Sequence, residues 1–157
     1  MNSEAYGTTV FCDDIRYETN GKLTLIGCYT GEMNFSGPAP GLLPNFGALV
    51  NLRVPINVEI NTIKLCVYLE LASSRDEIFS TEIEITDEQR KSAFAGTENE
   101  RPEDKVLSMT FPLHWSPLPV NEKGRIKVRA YLDNDIEVRL GTLKMNFVEG
   151  DGKGEEA

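Results

Sequence analysis

The chain has 157 residues, 40% of them apolar, enough for one domain that buries a core without disulfides or metals as staples. With 25 acidic against 16 basic residues the formal net charge is -9, which works against non-specific binding to nucleic acid or an anionic membrane, since both draw affinity from pairing Lys and Arg with phosphates. The 3 cysteines lack C-x-x-C spacing and indicate neither a disulfide framework nor a zinc site, no cofactor motif is present, and no apolar run approaches a membrane span. The opening MNSEAYGTTVF has neither a basic start nor an apolar signal region, so a cytoplasmic protein is expected.

The first predicted element is a hairpin in FCDDIRYETNGKLTLIGCY. A two-residue Asn20-Gly21 turn sets Arg16 and Glu18 on the face of Leu23 and Leu25, mixing polar and apolar residues. A three-residue loop, a type I turn closed by a left-handed Gly21, instead pairs Glu18 with Lys22, Arg16 with Thr24, Ile15 with Leu25 and Phe11 with Tyr29. That register places Cys12 opposite Cys28, close enough to bridge under oxidation, although two packed thiols are the simpler reading. It also puts Asp13 on the apolar face opposite Gly27, where a carboxylate needs hydrogen-bond donors or a place near the strand's end.

The segment 36–45, SGPAPGLLPN, follows as a long loop. Its prolines block regular pairing, so Leu42 and Leu43 are expected either to cover an open end of the core or to meet another chain. Strands are predicted over 49–54, over 63–71, where Ile63, Leu65, Val67, Leu69 and Leu71 alternate with more polar residues, and over 78–85. A short helix over 86–95 has Thr86 as N-cap, Gln89 three residues on and Gly96 as its stop, with Phe94 anchoring it over an end of the core. The loop 96–105 leads to a strand over 107–115, then to a hairpin. There a three-residue Asp133-Asn134-Asp135 loop pairs Leu132 with Ile136, Ala130 with Val138 and Val128 with Leu140.

These elements, about eight strands and one short helix, predict an all-β fold, a single antiparallel β-sandwich over 1–148. The glycine-rich acidic tail 149–157 is expected to be disordered.

The polar side of the C-terminal hairpin bears Arg125, Lys127, Arg129 and Arg139, with Arg129 directly opposite Arg139. Like charges in that position are unfavourable unless a neighbouring acid, such as Glu70, or an acidic partner relieves them. This stripe and the loop leucines Leu42 and Leu43 are the candidate partner contacts. No catalytic set of nucleophile, base and orienter is recognisable. Asp13 with the Asp133–Asp135 loop could be imagined as a calcium site, and Asp13 with the carboxylates of TENERPED as raw material for a hydrolase or transferase. Trp115 and nearby tyrosines could serve a small ligand or carbohydrate, although Trp115 completes the apolar face of its strand.

FCDDIR followed by GKLTLIGCY, together with LPVNEKGRIKVRAYLDNDIEVRLGTLKM, resembles an uncharacterised family of small bacterial and bacteriophage-associated proteins, a domain of unknown function with a CDDIR, hairpin, LIGxY pattern. The resemblance covers about thirty residues at each end of the chain, with no motif match between them. The C-terminal hairpin is also similar to the closing hairpin of immunoglobulin-like sandwiches. The resemblance implies a fold and brings no catalytic residues. The function expected is therefore a non-enzymatic protein-interaction or assembly module, binding a protein partner or itself, and binding neither nucleic acid nor membrane.

Overall fold

The computed structural model describes residues 4–148, so the expected tail disorder lies outside the described residues. Eleven strands are present: β1 (Tyr6–Tyr17), β2 (Leu23–Cys28), β3 (Glu32–Ser36), β4 (Gly41–Leu43), β5 (Phe46–Pro55), β6 (Thr62–Leu71), β7 (Arg75–Glu84), β8 (Val106–Trp115), β9 (Leu118–Val120), β10 (Gly124–Leu132) and β11 (Ile136–Val148). Among the described residues one α-helix, α1 (Asp87–Ala93), lies between β7 and β8. The all-β expectation holds, with more strands than expected and with three sheets: a four-stranded sheet β2-β1-β5-β8, a five-stranded sheet β3-β11-β10-β6-β7 and the pair β4-β9. Nor is the pairing antiparallel throughout, because β3 runs parallel to β11.

Both large sheets feed one core. Phe11, Phe46, Val50 and Leu52 from the first meet Leu65, Val67, Val128, Leu140 and Leu143 from the second in a single apolar cluster. On β6, the residues alternating from Ile63 to Leu69 are buried as their period of two requires, and β10 buries Ile126, Val128, Ala130 and Leu132 in the same way. Removing such surface from water is the dominant stabilising term.

The opening hairpin takes the expected register, with Tyr17↔Leu23, Arg16↔Thr24, Ile15↔Leu25 and Cys12↔Cys28. The Glu18 amide donates to the Lys22 carbonyl at 2.8 Å, closing the three-residue loop. The loop differs in detail from a type I turn, since Asn20 as well as Gly21 is left-handed (φ 64° and 72°), a conformation the short polar Asn side chain tolerates. Tyr17 shares the face of Ile15 but is 72% exposed at the hairpin tip. Cys12 is buried and Cys28 exposed, both free. Cys66 alternates with the core-facing aliphatics of β6 and so lies on the sheet's other face, yet it too is buried. Its neighbour Arg129 on β10 and the Tyr68 ring on its own strand both lie partly buried on that face.

The C-terminal hairpin pairs Leu132↔Ile136, Ala130↔Val138 and Arg129↔Arg139, then shifts at a β-bulge so that Val128 faces Gly141 instead of Leu140. The extra residue reverses the inward phase: Val138 and Leu140 point in before the bulge, Leu143 and Met145 after it. β11 then runs on to Val148. Ile136, expected inside, is 54% exposed beside the turn.

Helix α1 starts in the expected capping box: the Gln89 amide donates to the Thr86 hydroxyl at 3.1 Å, and the Thr86 amide to the Gln89 side chain at 3.0 Å. It buries no residue of its own. Phe94 and Arg90 border a small cavity with Pro55, Ile60 and Ile85, and the Arg90 guanidinium donates to the Ile60 carbonyl. That places the helix over one end of the core.

Candidate interaction surface

The expected stripe lies on the outward face of the five-stranded sheet, where β10 alternates buried aliphatics with Arg125, Lys127, Arg129 and Tyr131. Arg129 faces Arg139 across the ladder, and a second like-charged pair, Arg125↔Lys144, is the fourth pair beyond the bulge. Lys144 was not read as part of the stripe, because the bulge turns it outward. The phase change from Val138 and Leu140 to Leu143 and Met145 is the sequence signal for it.

The four stripe residues differ in availability. Lys127 Nζ holds Glu70 on β6 through both carboxylate oxygens at 2.9 Å. That hydrogen bond is the main cause of a Glu70 carboxyl held below its usual range, with Arg75 and Arg125 adding attraction. Glu70 thus serves Lys127, while the arginine pair shares Glu137, whose Oε1 lies 3.6 Å from Arg129 Nε and 3.5 Å from Arg139 Nε. Arg129 is drawn in, its side chain 12% exposed and its Nη1 donating to the Val128 and Gly141 carbonyls at 2.8 and 3.3 Å. Arg139 is 81% exposed. Arg125 is exposed and forms no ion pair among the described residues. A cleft beside it is lined by Lys123, Arg125, Lys144 and Glu70.

Beside the stripe, the Tyr68 and Tyr131 hydroxyls meet at 3.3 Å, and the Arg75 guanidinium stacks 4.0 Å from the Tyr68 ring centre. Burial, with the Tyr131 contact second, pushes the Tyr68 hydroxyl above its ordinary range. The face is therefore ordered by its own contacts, with Arg125 and Arg139 left outward.

The two loop leucines separate. Their segment pairs regularly after all, with Leu42 opposite Pro119 and Leu43 opposite Leu118, because the prolines at 38, 40 and 44 fall outside β4. Leu43 packs against the core, whereas Leu42 is 58% exposed. Leu43 is a lid, and Leu42 alone stays a contact candidate.

The carboxylates do not converge. Cys12 pairs with Gly47 near one end of β5, and Val106 pairs with Pro55 at the other. The loop 96–105 lies at the second end and Asp13 at the first, about 27 Å apart along a strand. Asp133 lies at the helix end as well, its Oδ1 accepting from the Asn61 and Thr62 amides at 2.8 and 2.9 Å. Those amide bonds lower its pKa and make it a cap for the start of β6. The imagined calcium pairing with Asp13 is thus broken, and no three His, Cys, Asp or Glu residues cluster among the described residues. His114 Nε2 lies 3.5 Å from Asp14 Oδ1 on the open face of the four-stranded sheet. Trp115 packs against Phe46 at 5.8 Å between ring centres and donates its Nε1 to the Ile78 carbonyl at 3.3 Å. It ties β8 to β7 across the two sheets.

Comparison with protein-family models gives no match, and comparison with curated proteins gives no similar sequence.

Proposed function

We propose that this chain is a cytoplasmic, non-enzymatic interaction module with an immunoglobulin-like sandwich, of the uncharacterised bacterial and phage-associated type its two ends resemble. Its partner is a different protein that lays an acidic segment along β10 and β11. One observation carries the reading: a protein of net charge -9 stacks two like-charged pairs, Arg125↔Lys144 and Arg129↔Arg139, on one outward face. One carboxylate, Glu137, offsets the arginine pair in part, and Glu32, 3.8 Å from Lys144, the other, so each pair keeps net positive charge in the free protein. An acidic segment relieves both and is steered to the face by its charge. A second copy is the weaker occupant, because two chains of this net charge repel.

The test is recovery of partners from the native host with the tagged chain beside an Arg125→Glu/Arg139→Glu variant, at low and high salt. A protein retained by the wild type and lost with the variant and with salt is the expected result. Equal recovery by both chains rejects this face as the contact. A solution mass of two chains that drops in the variant makes the occupant a second copy.

A further inference from the structure

A cleft of about 470 Å³ opens where the bulge of β11 approaches the start of β1, lined among others by Thr8, Thr9, Arg129, Arg139, Gly141 and Thr142. It is shallow and largely open to solvent, so it can seat a small charged group without enclosing a larger ligand. Two guanidinium groups enter it from opposite strands. Arg129 is held by its Nη1 bonds to the Val128 and Gly141 carbonyls, so it is pre-set and largely desolvated, while its Nη2 donates to no protein group among the described residues. Arg139 is 81% exposed and has Glu137 as its ion-pair partner. The pair shares the single carboxylate of Glu137, which leaves one positive charge unmatched at the cleft.

Thr9 Oγ1 is the buried side-chain oxygen or nitrogen without a hydrogen-bond partner among the described residues. It lies against Gly141, 3.3 Å from where a Cβ at that position would stand. The hydroxyl oxygen is fully enclosed, so it belongs to the packed floor beneath the cleft and makes no contact with a ligand.

We propose that this cleft binds a phosphoryl group, with Arg129 and Arg139 as its charged ligands. The guanidinium fork matches phosphate oxygens in two-point contact. A lone small carboxylate competes with Glu137 on equal terms, whereas a doubly charged group outcompetes it. A phosphoryl group near neutral pH carries about -1.5 to -2 charges and three acceptor oxygens, so it displaces Glu137 from one or both arginines. This site rests on its own geometry and needs no protein partner, so its failure and that of the acidic-segment reading are separable.

The experiment follows backbone amide shifts of the full chain during titration with inorganic phosphate at fixed ionic strength. Saturable shifts confined to the amides of 7–9 and 139–142 are expected. Arg139→Gln, which removes an exposed side chain, weakens binding about tenfold, the worth of a charged hydrogen bond. Glu137→Gln tightens it by about threefold, because the competing carboxylate is gone. Arg53→Gln on the other sheet changes neither, and unfolding midpoints of all three variants confirm that they fold. Shifts spread evenly over basic residues, no saturation, or weaker binding in Glu137→Gln each overturn the proposal. A parallel titration with N-acetyl-phosphoserine amide assigns the source. Tighter binding than inorganic phosphate means a phosphorylated side chain of a partner, and equal or weaker binding means free phosphate.

Discussion

At the residue scale, the hairpin is built around Asp13, Gly27 and Tyr29. Gly27, the last but one residue of β2, is left-handed (φ 66°), and a Cβ there would run into the Asp13 carboxylate, which folds across it to accept the Tyr29 hydroxyl. Tyr29 in turn tilts onto Phe46 at 6.2 Å. The sequence places Asp13 opposite Gly27 and asks what donor it finds, and the answer is Tyr29. Gly27→Ala therefore combines a backbone penalty of about 1 kcal/mol or more with a steric clash. Gly21, equally left-handed, has nothing within 4 Å of its missing Cβ, so Gly21→Ala incurs the backbone penalty alone. Denaturant midpoints should rank Gly27→Ala below Gly21→Ala. In a double-mutant cycle, Asp13→Ala should recover part of the Gly27→Ala loss, a coupling of about 0.5 kcal/mol or more. Additive losses would mean that the carboxylate does not occupy the space over Gly27.

At the element scale, what was legible followed the length of the periodic run. β6 and β10 announce themselves through four or five alternating aliphatics. The three strands missed are short: β4 and β9 have 3 residues each, and β3 has 5. None is long enough for alternation to stand out, and β9 carries a proline. The bulge that exposes Lys144 was written as a change of hydrophobic phase, visible only once β11 is known to continue. On β4 the exposure of Leu42 and the packing of Leu43 separate two roles for adjacent leucines. Leu43→Ser should destabilise by roughly 2 kcal/mol or more, from lost burial and an unpaired hydroxyl against the core, while Leu42→Ser should leave the unfolding midpoint nearly unchanged. Equal losses from both would place Leu42 inside. The hairpin thiols give a further check. Native alkylation should modify exposed Cys28 first, and mild oxidation with diamide should join Cys28 to Cys12, leaving buried Cys66 untouched until unfolding. A linkage to Cys66 would contradict the β1–β2 register.

At the scale of the whole molecule, the titratable groups define a stability plateau with two limbs of opposite sign. On the alkaline side, burial above all pushes the Cys12 thiol up to about 11, with repulsion from Cys28, Asp13 and Asp14 adding to it. Burial likewise raises the Tyr29 hydroxyl, aided by its bond to Asp13, and the Tyr68 hydroxyl. The folded state keeps protons that the unfolded chain releases above about pH 9 for the thiol and about pH 10 for the phenols. This stabilisation is complete below those values and is lost as pH rises through the raised ones. On the acid side the shifts run downward. Glu70 is held low by Lys127, Glu122 by the Ser73 hydroxyl and amide, and Asp133 by the Asn61 and Thr62 amides. Their stabilisation is present above the ordinary carboxylate range and disappears as pH falls below it. Unfolding midpoints measured from pH 3 to 12 should therefore be level between roughly 5 and 9 and fall on both sides. The thiol and the phenols share the alkaline limb, and substitution separates them. Cys12→Ala lowers the plateau through a small cavity but flattens the fall between about 9 and 11, because the group that must be deprotonated is gone. If the slope in that window is the same in wild type and Cys12→Ala, the thiol does not carry the early part of the limb, and the tight enclosure of Cys12 beneath the open face of the hairpin is wrong.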